Sequence, residues 1–376
     1  MALVAIRNGC ESDIYNSEVV VMLLFRKSDV ELSQEEITHW LRELRGHPFN
    51  PSSGFDVTAV FRAKFRGDAS YYFAGVNVEN PHLRLSSHGE EGAIAAIATA
   101  FGKGGEIVEG WLMGSPNTAK PGDDNPLANI QVSCCGKCRQ QIAGLANSDV
   151  VIHSISLNGA HEKTTVGEFL PNVFTFKQFA PDALQPSYVG PLSVEDIQNR
   201  LYRDGELGEE EILSWLKSLE SIDHATQTSH AVILKLSGNK YVAGVSVEEA
   251  AYVSIDPISC AIAIANTVFG NTVNVEAVWT LSKNKKRVES SATSSTFPLL
   301  DAYKKQQALD DTMTPLPLSS IQVLMQFAAS DTIPIHNFSE RGNKEVYPLN
   351  ESALHIPSFK RSEPNKEEKR KVATLN

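Results

Sequence analysis

The sequence predicts an α/β fold built twice in one chain. Two short blocks recur in order: AGVNVEN at 74–80 returns as AGVSVEE at 243–249 with five identities in seven, and AIAAIATAFG at 93–102 returns as AIAIANTVFG at 261–270 with six in ten. A spacing of about 168 residues is that of a duplicated domain, well beyond the period of a solenoid repeat. Within each copy, strand-like runs alternate with helical patterns, which lays strands and helices on one sheet. A length of 376 residues accommodates two such units, and 42% hydrophobic with 21% charged residues excludes a disordered or fibrous chain.

An acidic, capped helix opens each copy. Ser33 with Glu36 stands ahead of ITHWLREL, and Ser193 with Asp196 ahead of IQNRLYRDG, so that the hydroxyl and the carboxylate cap each other's backbone N–H. Two strand pairs follow, FDVTAVFRAKF (55–65) with SYYFAGVNV (70–78) and HAVILKLS (230–237) with KYVAGVSV (240–247), each read as a hairpin. The alanine-rich run 92–101 reads as a helix, EIVEGWLMG (106–114) as a buried strand, and RQQIAGLA, from Arg139, as another helix. SPNTAKPGDDNPLAN (115–129) reads as an exposed loop, either a lid or a solvated insertion, and APDALQPSYVGPLS (180–193) as the linker. From 331 the chain is polar and proline-spotted, and 360–371 holds six Lys or Arg against three Glu. The expected layout is an N-terminal helical segment 1–48, a first domain 49–185, a second 193–330 and a disordered tail 331–376.

Lys and Arg number 34 against 45 Asp and Glu, and a formal charge of −11 provides no basic face for a polyphosphate, so nucleic acid is not an expected partner. No run approaches the roughly 20 apolar residues that span a bilayer, and MALVAIRNGCESD reaches charge too early for a signal peptide. The expected location is the cytoplasm, away from membranes. Of the five cysteines, Cys10, Cys134, Cys135, Cys138 and Cys260, three crowd into five positions, which suits metal ligands or a redox pair better than a disulfide framework.

His88-Gly89-Glu90 opens the alanine-rich helix and Cys135-Gly136-Lys137-Cys138 opens the other. One imidazole and two thiolates make three zinc ligands, which leaves the fourth tetrahedral position to water, as in catalytic sites. A helix N-terminus lowers thiol pKa values, and Arg139 is placed to donate to a thiolate. Glu90, two residues beyond His88, stands where a proton shuttle belongs. This H-x-E with a downstream C-x-x-C is the zinc deaminase signature.

On these residues the sequence resembles the cytidine deaminases, in particular the long two-domain form with a His-Cys-Cys zinc site and a degenerate second domain. The resemblance covers roughly 30–330 and extends to NPSSGFDV (50–57), Asn77-Val78-Glu79 and GEFLPNVF (167–174). It implies a three-layer α/β/α sandwich with a mixed sheet, one zinc per chain, a homodimer, and deamination of cytidine or deoxycytidine in pyrimidine salvage. By position, it places Phe55 on the pyrimidine and Asn77 and Glu79 on the ribose. The sequence departs from the family where Gly89 replaces the usual alanine, loosening the turn, and where Cys134 replaces a proline, which adds a rival thiolate.

Laying Phe101-Gly102 on Phe269-Gly270 sets Asp256 opposite His88 and Ile258 opposite Glu90, with no C-x-x-C after them, so the second copy is expected to hold no zinc. Cys260 reads as a buried hydrophobe. The resemblance implies that this copy supports dimerisation and that Ala250-Ala251-Tyr252 reach a neighbouring chain's active site. Glu91 reads as a solvated first-turn residue, Phe55 as core in its plainer reading, and Asn77 and Glu79 as strand-end caps in theirs. A deaminase of another or modified nucleoside and a non-catalytic zinc-binding regulatory protein are the alternative functions.

Overall fold

Both predicted hairpins form, and each lies within a six-stranded mixed sheet. A computed structural model describes residues 22–176, 192–224, 228–284 and 313–352. The first sheet comprises β1 (Phe25–Lys27), β2 (Phe55–Phe65), β3 (Asp68–Val76), β4 (Gly105–Pro116), β5 (Ala146–Ile155) and β6 (His161–Thr165), in the order β1-β3-β2-β4-β5-β6. The second comprises β7 (Tyr202–Asp204), β8 (Thr228–Leu236), β9 (Lys240–Val245), β10 (Val275–Asn284), β11 (Pro334–Phe338) and β12 (Lys344–Pro348), in the order β7-β9-β8-β10-β11-β12. The two orders agree strand for strand. The strands of each sheet pair antiparallel except β4 with β5 and β10 with β11.

The duplication holds at the level of register. Trp111 pairs with His153 and Trp279 with His336, each tryptophan stacked on its histidine at 5.3 and 4.9 Å between centroids. Val151 pairs with Thr165 as Pro334 does with Pro348. The second copy therefore continues past 330, and the expected tail must be corrected: β11 and β12 are its last two strands. They escape notice because Pro334 and Pro348 stand at strand ends, where a missing N–H is tolerated, and because Asn337 is a buried polar residue. The helical segment expected at 1–48 needs a similar correction, since Phe25–Lys27 is the edge strand of the first sheet. Residues 177–191, most of the expected linker, and the basic stretch beyond 352 lie outside the described residues.

Helix α1 (Gln34–Glu43) starts at the predicted capping box, with Glu36 N–H on Ser33 Oγ and Ser33 N–H on the Glu36 carboxylate. Its Ile37, Trp40 and Leu41 cover one face of the first sheet, against Val60, Tyr72, Trp111 and Met113. Ala119 and Ala128 of the 115–129 loop join that core, and Arg45 donates to the carbonyls of Pro116 and Ala119, so the loop is packed down rather than fully solvated. Helix α2 (Gly89–Phe101) lies on the opposite face, giving the α/β/α layering. It is buried along its whole length because α6 (Pro257–Phe269), its counterpart in the second copy, packs against it. Small side chains permit that approach. A Cβ on Gly75 would lie 2.2 Å from Ala93 N, and one on Gly244 would lie 2.5 Å from Ala261 N, so the repeated A-G-V motif marks where strand backbone meets helix backbone.

Four further helices of eight residues or more lie in the described chain, α3 (Gly136–Leu145), α4 (Val194–Leu201), α5 (Glu209–Ser218) and α7 (Leu318–Phe327), with a single helical turn at Val166–Phe169. The copies are joined by the His47 ring on Thr267 O at 2.9 Å, by the buried Lys103–Asp223 ion pair at 2.7 Å and by Phe49 against Phe327 at 5.2 Å.

Candidate metal centre and active site

Two helix N-termini meet at the site. His88 is the N-cap of α2, delivered by Ser87, whose backbone bridges to Val78 just beyond β3. Cys135 is the N-cap of α3 and Cys138 its third residue, so both sulfurs face the same point. His88 Nδ1 lies 3.3 Å from each sulfur, and the sulfurs are 3.6 Å apart. Among the described residues this is the one group of three His, Cys, Asp or Glu donors close enough to share an ion. Tetrahedral ligands at zinc bond lengths of about 2.0 Å to nitrogen and about 2.3 Å to sulfur stand roughly 3.5–3.8 Å apart, so the triangle fits that ion within a few tenths of an ångström.

The electrostatics agree with the donor set. The Cys138 thiol and the His88 ring hydrogen-bond to Cys135 and hold its thiol down to about 3, while the bond to that thiolate raises His88 to about 9. Cys138, which donates to Cys135, is raised. Glu90 is buried beside this cluster, and burial raises its carboxyl pKa, partly offset by His88. Cys134 is also buried, and burial together with the adjacent Glu90 carboxylate raises its thiol. The rival thiolate thus turns towards Glu90, while Cys135 stands with Cys138 and His88.

Residues 50–57 and 77–79 form one wall. Asn77 extends the β2–β3 ladder with its side chain, accepting from Val57 N at 2.8 Å and donating to Phe55 O at 3.0 Å. Glu79 Oε2 accepts from Ser52 N at 2.8 Å and Ser53 N at 3.1 Å, fixing the loop before β2. The Phe55 ring lies over Gly114, where an added Cβ would meet it at 2.9 Å. The wall abuts the donor triangle at Gly89, whose own Cβ would lie 2.9 Å from Val57 O. Gly89 therefore admits close packing of β2 on α2; expecting it only to loosen the turn misses this contact.

Two other expectations change, those for Arg139 and Glu91. Arg139 does not reach a thiolate: its guanidinium donates to Cys134 O at 2.7 Å, Phe169 O at 3.1 Å and Ser133 Oγ at 2.8 Å, which clamps the segment before α3. Glu91 is buried rather than solvated, taking Lys137 Nζ at 2.8 Å, Gln141 Nε2 at 3.0 Å and His88 N at 3.0 Å. Ala250-Ala251-Tyr252 lie in a loop that packs on this chain's own α3, where Gln140 Nε2 donates to Glu249 Oε1 at 2.8 Å. Tyr252 itself is 96% exposed, at a left-handed φ of 61°. Lys137 and Gln141 went unnoticed in the sequence; the only signal was a lysine between the two cysteines.

In the second copy the same two helix N-termini meet without a donor triangle among the described residues. Asp256 caps α6, accepting from Ile258 N and Ser259 N, and Ser320 Oγ of α7 donates to Asp256 Oδ1 at 2.8 Å. Ser320 is the third residue of its helix, as Cys138 is of α3, and the N-cap is Pro317. A hydrogen bond there ties together the helices that His88 and Cys138 bring together in the first copy.

No family model matches the chain. A cytidine deaminase of Sporosarcina psychrophila is 29% identical over 134 residues, covering 36% of this chain and 85% of that protein. Among solved structures, the cytidine deaminase of Burkholderia pseudomallei is 23% identical over 38% of this chain and 100% of its own, with a TM-score of 0.30. That of Mycobacterium leprae is 22% identical over 38% and 100%, with a TM-score of 0.28. In the His88, Cys135 and Cys138 triangle, in Glu90 beside it and in the match to the Sporosarcina enzyme, the chain is similar to the cytidine deaminases.

Proposed function

We propose that this protein catalyses the hydrolytic deamination of cytidine or deoxycytidine to the corresponding uridine, with zinc held by His88, Cys135 and Cys138. The observation that carries the reading is the donor triangle with the buried Glu90 carboxyl beside it. Zinc bound there would supply the Lewis acidity that brings deprotonation of water near neutral pH. Glu90 takes a proton from the attacking water and delivers it to ring N3, then takes the remaining proton from the new C4 hydroxyl and gives it to the amine nitrogen, so that the C4–N bond breaks, ammonia leaves and the C4 carbonyl forms. A carboxyl raised by burial is suited to both halves of that transfer. Phe55 packs on the pyrimidine. Glu79 engages its loop through Oε2, which leaves Oε1 to accept from a sugar hydroxyl, while Asn77 holds the wall in place and offers its remaining amide hydrogen. A carboxylate at the sugar disfavours a 5′-phosphate by charge.

Incubating the zinc-loaded protein with cytidine, deoxycytidine, modified cytidines and adenosine, with ammonia release as the readout, tests this. Release from cytidine or deoxycytidine is expected. Zinc-loaded protein that releases ammonia from none of them would overturn the reading and favour a non-catalytic zinc protein. The same reading includes a homodimer, with the exposed Tyr252 as a surface left for a second chain; light scattering that gives the mass of one chain would remove that part.

A further inference from the structure

We infer that Gln141 is a positioning residue through which the second copy sets the geometry of this chain's own metal centre. The inference rests on the metal reading above. Gln141 is 2% exposed, one turn beyond Cys138 on α3. Its amide nitrogen donates in two directions, to Glu91 Oε1 at 3.0 Å and to Val253 O of the second copy at 2.6 Å. Both partners are acceptors, so the amide cannot be flipped, and only a group with two donors fits between them. Among the described residues the buried carboxamide oxygen has no partner, a cost tolerated only if the position of the two donors matters more.

Glu91 passes this link to the metal ligands. Its Oε2 accepts from the backbone N–H of His88, while its Oε1 takes Gln141 and also Lys137, which stands between Cys135 and Cys138. One carboxylate thus ties the histidine-bearing helix to the cysteine-bearing helix. Gln140 adds a second tether to the same loop through Glu249, whose Oε2 accepts from Ala251 N at 2.7 Å. The reciprocal link exists on the other side: Gln326 of α7 donates to Glu79 O at 2.7 Å and accepts from Asn80 Nδ2 at 2.7 Å. Each copy therefore lays a loop over the other's helix, but only the Gln141 link ends on residues that hold the ligands.

The test uses the zinc-loaded full chain and the rate at which zinc passes to a colorimetric chelator, well below the unfolding temperature. Gln141→Leu should release zinc about tenfold faster or more, the usual scale for loss of an outer-shell partner, and Gln141→Glu, which sets a carboxylate against two acceptors, faster still. Gln326→Leu should lower thermal stability to a similar degree yet release zinc at the wild-type rate. If the Gln141 variants do not fold, Gln140→Ala, at a half-buried position, should still speed release severalfold. Wild-type release from every Gln140 or Gln141 variant that folds, or equal acceleration by Gln326→Leu, overturns the inference while leaving the metal reading intact. A wild-type protein that binds no zinc overturns the metal reading, and the inference with it.

Discussion

Gly75 and Gly244 offer a matched pair of perturbations. A Cβ at Gly75 would sit 2.2 Å from Ala93 N and 2.3 Å from Gly89 O, and one at Gly244 would sit 2.5 Å from both Ala261 N and Pro257 O. The obstructing atoms are helix backbone, which no rotamer change can clear. Non-bonded contacts settle near about 3.5 Å, so each alanine must push its helix away by roughly 1 Å. Overpacking of this kind costs about 1–3 kcal/mol, and the upper end is expected here because backbone must move. The two variants should therefore lose similar stability in urea denaturation. Their functional effects should differ, because the displaced end of α2 carries His88 and Glu90 whereas that of α6 carries Asp256. A displacement of about 1 Å at catalytic groups costs on the order of a hundredfold in rate. Gly75→Ala should lose zinc affinity and turnover; Gly244→Ala should keep most of both under conditions where it is folded. Wild-type stability in either variant, or equal loss of zinc in both, would refute the reasoning.

The single donor triangle predicts about one zinc per chain by elemental analysis, with loss in Cys135→Ala and Cys138→Ala and retention in Cys134→Ala; two zincs per chain would contradict the erased second site. Asp256→Ala removes a helix cap and the Ser320 bond, and should cost about 2–3 kcal/mol in denaturation while sparing zinc content; no loss would show that the bond does not secure the second copy. His47 is half-buried between the copies, and desolvation there pushes its imidazole below the ordinary value of 6.5. The unfolded chain takes up that proton first, so stability present above pH 6.5 is lost as pH falls from 6.5 towards the folded value. His47→Gln should flatten that part of the stability profile, and an unchanged acid slope would assign it to other groups.

What the sequence disclosed and what it concealed follow the range of the interactions. The hairpins, the capping boxes and the alanine-rich helices are set by neighbours a few residues apart, and all are legible. The ligand set is legible for the same reason, since the spacing of Cys135 and Cys138 at a helix start fixes their common direction. Glu91 misleads because a carboxylate in a first turn is normally solvated; its burial comes from α3 and from the second copy. Gln141 is invisible for a stronger reason, as its partner Val253 O is 112 residues away. β1 has three residues, too few to show alternation, and β12 is an edge strand in which Tyr347 alone is buried while Val346 is exposed.

The central claim is that Glu90 moves protons at a centre whose metal is held by other residues. Glu90→Gln preserves size and burial but removes the carboxylate, so zinc content and folding should match the wild type while ammonia release from cytidine or deoxycytidine falls by several orders of magnitude. A Glu90→Gln protein that retains its zinc and deaminates at near wild-type rate would contradict the account.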